Sequence, residues 1–106
     1  METGICVDYL ENCFERDTYH TRKSVGKRES GLNDRASIEF GIAEGYRFAR
    51  MEFIRILVDK DKNLAYNVFT ELMNRAVADL ISCKASEVYC LNHIISDMKF
   101  ELEKLK

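Results

Sequence analysis

The residues with the clearest chemical potential lie in one short basic run near the start of the chain. Residues 20–31 read HTRKSVGKRESG, although the formal net charge of the chain is −2. Glycine amides within such a run can turn toward an anion, and nearby aromatic rings can stack on a base. Four cations suit one or two phosphate groups or an acidic protein surface better than a long nucleic-acid backbone. The candidate anion-binding or ligand-binding residues are Tyr19, His20, Arg22, Lys23, Lys27 and Arg28.

The same run contains the end of a phosphate-binding loop motif. Residues 24–27 read SVGK, as in the loops whose glycines wrap the phosphates of a nucleotide. Those loops have another glycine five positions before Gly26, and Thr21 occupies that position here. The run therefore predicts no nucleotide hydrolase.

The four cysteines fall into two pairs, Cys6 with Cys13 and Cys83 with Cys90, each with a spacing of seven residues. Seven residues of helix rise about 10.5 Å, which exceeds the roughly 7 Å between Cα atoms that a disulfide spans. We therefore predict no bridge within either pair. A bridge between the pairs stays open, and four reduced, mostly buried thiols are the main prediction.

Zinc binding and thiol catalysis are the two chemistries that these cysteines could support. Cys90 and His93 lie one helical turn apart, and Cys83 could join them as a soft ligand. Their spacing matches no common zinc pattern, and a fourth ligand would have to come from the N-terminal segment. No local signature of a nucleophile and its base surrounds the thiols. The sequence therefore predicts no metal, no cofactor and no enzymatic activity.

The segment DKDKN at residues 59–63 resembles the opening of an EF-hand calcium loop. The resemblance covers these five residues only. The family has glycine at the sixth position and glutamate at the twelfth, where this chain has Leu64 and Thr70. We therefore interpret the acidic residues of this segment as caps of the adjoining helices.

The elements that position these residues follow from breakers and apolar periodicity. Proline is absent, and all five glycines lie between Gly4 and Gly45. Apolar residues at helical spacing predict a short helix over residues 1–16, with a buried face formed by Val7, Leu10, Cys13 and Phe14. Residues 17–33 contain two glycines and two serines among the basic residues, and we predict a basic loop there.

Three longer helices are predicted over residues 34–58, 62–82 and 85–105, with Asn33 or Asp34 as the N-cap of the first. The predicted core-facing stripe of the first is Ile38, Ile42, Gly45 or Tyr46, Ala49, Phe53, Ile56 and Leu57. The stripe of the next is Ala65, Val68, Phe69, Leu72, Ala76 and Leu80. A phase shift of the apolar positions near residues 82–86 separates this helix from the last one.

The last helix has the most regular apolar stripe, which alternates steps of three and four residues. Its members are Val88, Leu91, Ile95, Met98, Leu102 and Leu105. This pattern is typical of a coiled coil, and a helix inside a monomeric bundle uses nearly the same geometry. We predict that the stripe is the interface of a homodimer, with packing inside one chain as the alternative.

Gly41 and Gly45 give a small-xxx-small spacing on one side of the first long helix. Glycine inside a helix costs roughly 1 kcal/mol relative to alanine, and this spacing lets another helix approach closely. The pair therefore predicts a close contact of this helix with another helix or with a ligand.

Together these patterns predict an all-α protein, a small antiparallel helical bundle that forms a single domain over residues 1–106. No apolar run approaches the roughly 20 residues that span a bilayer, so we expect a cytoplasmic protein that does not bind membranes. We expect a non-enzymatic regulatory or inhibitory protein that binds a macromolecular partner, most simply a protein, through helical faces and the basic loop. The alternative is binding of a nucleotide or another phosphorylated small molecule through that loop.

Overall fold

The computed structural model describes residues 2–82 and 87–106, which form four helices. The helices are α1 (Thr3–Glu29), α2 (Asn33–Lys60), α3 (Lys62–Ser82) and α4 (Val88–Lys104). The described residues contain no strand, so the prediction of an all-α protein is confirmed. Cys83 and the predicted start of the last helix at residues 85 and 86 lie outside the described residues, as does most of the predicted phase shift.

The predicted basic loop at residues 17–33 is helical in the structure as far as Glu29. Ser24 and Gly26 lower helix propensity, but tertiary contacts override that preference here. The hydroxyl of Ser24 is buried and donates a hydrogen bond to the carbonyl oxygen of Ala36 at 2.8 Å. Packing against α2 therefore extends α1 by roughly three and a half turns beyond the predicted end.

The break between α1 and α2 is confined to residues 30–32. Gly31 has a φ of 79°, a left-handed conformation that glycine adopts without steric cost. The amide of Leu32 donates a hydrogen bond to the carbonyl oxygen of Lys27 at 2.8 Å, and the amide of Gly31 donates one to the carbonyl oxygen of Arg28 at 3.0 Å. This pair of hydrogen bonds is a Schellman motif, so the single glycine with positive φ ends α1.

The start of α2 differs from the predicted capping. Leu32 occupies the N-cap position, and it makes no capping hydrogen bond through its side chain. Asn33 is already the first helical residue, and Asp34 lies in the first turn. A carboxylate there favours the helix through its interaction with the positive end of the helix dipole.

A single residue, Asp61, separates α2 from α3. Its Oδ1 accepts a hydrogen bond from the amide of Leu64 at 3.0 Å, which is the geometry of an N-cap. Asp61 therefore has the capping role that the sequence predicted for the acidic residues of DKDKN.

One hydrophobic core contains residues from all four helices. The predicted buried face of α1 is confirmed, since Val7, Leu10, Cys13 and Phe14 are all buried. The predicted stripe of α3 is buried from Ala65 through Ala76. α4 contributes Ile94 and Met98, and α2 contributes Ile54 and Leu57.

The predicted core-facing stripe of α2 is confirmed at Leu57, which is buried, and at Phe53, which packs against the core, but it is wrong for its three isoleucines. Ile38, Ile42 and Ile56 are exposed, and the buried residues are Ala36, Glu39, Ala43, Arg50, Ile54 and Leu57. The reason is that α2 buries small and ion-paired side chains along much of its length, while Ile38, Ile42 and Ile56 face outward and Ile54 enters the core. Among the described helices, none combines the length and apolar character needed to cross a membrane.

Candidate functional site

Three of the six predicted anion-binding residues converge on one carboxylate of α2. Nδ1 of His20 lies 2.6 Å from Oε2 of Glu39, and Nζ of Lys27 donates to Oε1 at 3.0 Å. Nζ of Lys23 lies 3.7 Å from the same Oε1. Steps of three and four residues place these three side chains on one face of α1. That face is occupied by Glu39 instead of being open to an anionic ligand.

Glu39 is a residue that the sequence analysis missed. Its side chain is mostly buried, and the hydrogen bond from His20, followed by that from Lys27, lowers the pKa of its carboxyl from the ordinary 4.5 to about 2. The signal in the sequence was the spacing of His20, Lys23 and Lys27. That spacing indicates that the three side chains share a face of α1. It does not identify Glu39 as their partner, because Glu39 reaches them only through the packing of α2 on α1.

The other three predicted residues are exposed and fall into two groups, Arg28 in one and Tyr19 with Arg22 in the other. Arg28 is exposed in the last turn of α1, where a cation favours the helix end. Arg22 and Tyr19 are exposed, and Nζ of Lys23 lies 5.2 Å from the centre of the Tyr19 ring. The six residues therefore do not form one site.

A cleft of about 740 Å³ lies between α1, α3 and α4, and Tyr19, Arg22 and Lys23 line part of it. Four carboxylates line the same cleft, those of Glu11, Glu15, Asp79 and Glu87. Burial and then the charge of Glu15 raise the pKa of the Glu11 carboxyl. Among the lining residues that the structure describes, negative groups thus outnumber positive groups, which disfavours a phosphate ligand in this cleft.

The thiols of Cys6, Cys13 and Cys90 are reduced in the structure. Burial raises the pKa of each of these thiols, and a protonated thiol is a poor nucleophile. His93 packs edge-on against the Phe14 ring with a centroid distance of 5.4 Å. Within residues 2–82 and 87–106, no group of three or more histidine, cysteine, aspartate or glutamate side chains is arranged to hold a metal ion.

A buried ion pair joins Asp17 of α1 to Arg50 of α2. Nη1 of Arg50 donates to Oδ2 of Asp17 at 3.2 Å, and each side chain is 4% exposed. Burial alone would raise the pKa of the Asp17 carboxyl, but hydrogen bonds from Arg47 and then Arg50 outweigh burial and lower it. The Arg50 guanidinium also lies 4.1 Å from the centre of the Phe14 ring. This cluster fixes α2 against α1, and the pair of Asp17 and Arg50 within it is almost completely closed to solvent.

The predicted dimer stripe of α4 packs mainly within its own chain. Met98 is fully buried, and Val88 is 37% exposed. The other members, Leu91, Ile95, Leu102 and Leu105, are partly buried against the core. Ile94, which the heptad pattern omits, is 1% exposed. The alternative of packing inside one chain therefore accounts for the burial of these residues, and the homodimer stays a prediction.

α2 carries an exposed apolar face on the side opposite its buried residues. We define the outer face of α2 as Ile38, Gly41, Ile42, Gly45, Phe48, Ala49 and Ile56. At 3.6 residues per turn these positions occupy roughly a third of the helix circumference, the width of a stripe that normally faces a core. Ile38 is 64% exposed and Phe48 is 68% exposed.

The two glycines of the outer face are not required by packing within the chain. A Cβ atom added to Gly41 or Gly45 would meet nothing within 4 Å. Both positions also have ordinary helical backbone, since Gly31 is the glycine with positive φ among the described residues. The glycines therefore leave an open, shallow depression between the exposed side chains of Ile38 and Phe48.

Comparisons with known proteins reveal no relative of this chain. No protein family matches it, and neither the curated proteins nor the solved structures contain a match. The function is therefore inferred from the geometry of the described residues alone.

Proposed function

We propose that this chain is a non-enzymatic regulatory or inhibitory protein that acts by binding another protein through the outer face of α2. The observation that carries this proposal is the exposure of Ile38 and Phe48 on either side of two open glycines. Contiguous exposed apolar surface marks interaction sites, and aromatic anchors contribute strongly to binding energy. The outer face supplies both features.

The use of the buried polar groups supports a binding role over a catalytic one. Asp17, Glu39 and Ser24 each bond to a residue across the contact between α1 and α2. These bonds satisfy buried groups that would otherwise destabilise the fold. From the same bonds we infer that α1 and α2 run antiparallel. Asp17, the earlier residue of α1, bonds to Arg50, the later residue of α2, whereas Ser24 bonds to the earlier Ala36.

Affinity capture with matched variants tests the proposal. The wild-type chain, Phe48→Glu and Phe100→Glu are immobilised and exposed to extract from cells that produce the protein. Phe100 is 63% exposed on α4, so its substitution controls for the loss of an exposed aromatic residue elsewhere. We expect one protein that wild type and Phe100→Glu retain and that Phe48→Glu loses. When this protein is purified and mixed with each purified variant, the affinities should follow the same order. Equal retention by all three would contradict the proposal.

Binding of a nucleotide or another phosphorylated small molecule is a second candidate function. It is favoured by Tyr19, Arg22 and Lys23, which line one cleft, and opposed by the four carboxylates of that cleft. Calorimetric titration with ATP and with inorganic phosphate tests it on wild type and Arg22→Ala. Saturable binding that the variant weakens would support this function, and the absence of heat with either probe would reject it.

A further inference from the structure

We infer that the occupant of the outer face of α2 is an amphipathic helix of another protein, with basic residues at both ends of its apolar stripe. This inference rests on the proposed function and adds the chemistry of the partner. It is drawn from the shape of the part of the face at residues 38–49 and from the charges at the two ends of that part.

The shape of the face fits a helix. The apolar stretch at residues 38–49 is roughly 17 Å long at 1.5 Å per residue. Gly41 and Gly45 lower the surface between Ile38 and Phe48, so a second helix can approach the α2 backbone closely. A bound strand would need free backbone hydrogen-bonding groups along its length, whereas the backbone groups in the interior of α2 are already bonded within the helix. A helix satisfies its own backbone and needs only side-chain contact.

Carboxylates bracket the apolar stretch along the helix. Asp34 precedes Ile38 by one turn, Glu52 follows Phe48 by one turn, and both carboxylates are exposed. They are separated by five full turns, so they lie on the same line along α2 as the centre of the face. Arg55 offsets part of this charge, because its Nε and Nη2 donate hydrogen bonds to the two carboxylate oxygens of Glu52.

The remaining charged groups near the face do not remove this bias. Asp59 and the partly exposed Glu44 add carboxylates on the Phe48 side, and Nη1 of Arg55 donates to Asp59 at 3.2 Å. Arg35 and Lys60 lie about a quarter turn away, toward the edge occupied by Ile42. A partner helix lying on the centre of the face therefore meets carboxylates at both ends, and lysine or arginine complements them.

A second copy of this chain would meet its own carboxylates. An antiparallel crossing centred between Gly41 and Gly45 would match Ile38 with Phe48, but it would also place Asp34 opposite Glu52. A parallel crossing would place each of these carboxylates opposite its own counterpart. Like charges in such positions oppose association, so the charge pattern favours a partner of different sequence.

A displayed library of helical peptides tests the charge requirement. Each peptide has 25 positions, an apolar stripe with small or large side chains, and fully randomised residues one turn beyond each end of the stripe. The library is selected on the wild-type protein and depleted of peptides that still bind Phe48→Glu. The same selection is repeated on Asp34→Lys/Glu52→Lys. We expect at least a threefold enrichment of lysine and arginine at the randomised positions with wild type, and of aspartate and glutamate with the double variant.

The outcomes separate this inference from the proposed function. The selection can yield binders that depend on Phe48 but show no charge preference, or a preference that the double variant does not reverse. Either result overturns the inference and leaves the proposed function in place. The absence of any binder that depends on Phe48 overturns the inference, and the capture experiment then decides the proposed function separately. A dimer of the chain alone in sedimentation that Phe48→Glu dissociates identifies a second copy as the occupant and also overturns the inference.

Discussion

Glu39 links the stability of this fold to acid pH. Because the folded state lowers the pKa of its carboxyl from 4.5 to about 2, the ionised form stabilises the fold above pH 4.5. That contribution is lost as the pH falls from 4.5 through about 2, since the unfolded chain binds the proton first. We expect Glu39→Gln to lower the melting temperature at pH 7, and we expect its difference from wild type to shrink across this window.

Thermal unfolding from pH 7 to pH 2 checks this expectation. Glu29→Gln is the matched control, because Glu29 is exposed at the end of α1. A difference between Glu39→Gln and wild type that stays constant with pH would show that the carboxylate is not held ionised by His20 and Lys27.

Arg50 is expected to be the most sensitive charged residue. Replacing it with alanine leaves the buried Asp17 with the hydrogen bonds of Arg47 but without its buried partner, and removal of one member of a buried pair costs up to about 3–5 kcal/mol. Arg55→Ala is the control, because Arg55 pairs with Glu52 and Asp59 on the surface, where such pairs contribute less than about 1 kcal/mol. Urea unfolding measures both changes, and equal losses for the two variants would contradict the assigned role of Arg50.

These residues show what a sequence can and cannot predict about a charged site. The run at residues 20–31 predicted a basic cluster, and the cations are present. The contact of His20, Lys23 and Lys27 with Glu39 was not predicted, because a charge pattern along one segment does not reveal a carboxylate that another helix supplies. Glu39 stands 12 positions beyond Lys27, and only the turn at Gly31 brings the two together.

The helices show a similar division between local and tertiary information. α3 was predicted with its observed bounds, because its apolar stripe is regular and Asp61 caps its start. α1 was predicted too short, because serine and glycine weaken an isolated helix whereas contacts with α2 stabilise this one. The stripe of α2 was assigned to the core because periodicity identifies an apolar face but does not identify what covers it.

Gly41 and Gly45 provide a test of α2 with two separate readouts. Alanine at either position should stabilise the free protein by about 0.5–1 kcal/mol, because each site has open space and a helical backbone. Gly45→Leu should fold as well as wild type yet weaken the protein partner at least tenfold, because its side chain fills the depression. Urea unfolding and binding of the reconstituted partner measure these effects. Destabilisation by alanine would contradict the open environment of the glycines.

Ile95 tests whether α4 packs within its own chain. We expect Ile95→Glu to destabilise the fold by at least about 2 kcal/mol, because the charge would contact the core. Ser96→Glu adds the same charge at the neighbouring exposed position and should change stability by less than about 0.5 kcal/mol. Light scattering and thermal unfolding of both variants separate the alternatives. A stable Ile95→Glu monomer derived from a wild-type dimer would instead support the homodimer that the heptad pattern predicted.

For the whole molecule, the distribution of apolar surface is the feature that connects fold to function. α1, α3 and α4 direct their most regular apolar faces into one core, whereas α2 leaves an apolar stripe of comparable width outside. α2 can do this because alanines and ion pairs attach it to α1. The fold is therefore stable without covering the outer face, and that face remains open to a partner.

Site-specific photo-crosslinking in cells that produce the protein is the most direct measurement of this arrangement. A benzophenone amino acid replaces Phe48 in one variant and Phe100 in another, since both side chains are more than half exposed. We expect a discrete adduct with another protein from position 48, its loss when Gly45→Leu is added, and no such adduct from position 100. Equal adducts from both positions, or none from position 48, would contradict binding through the outer face of α2.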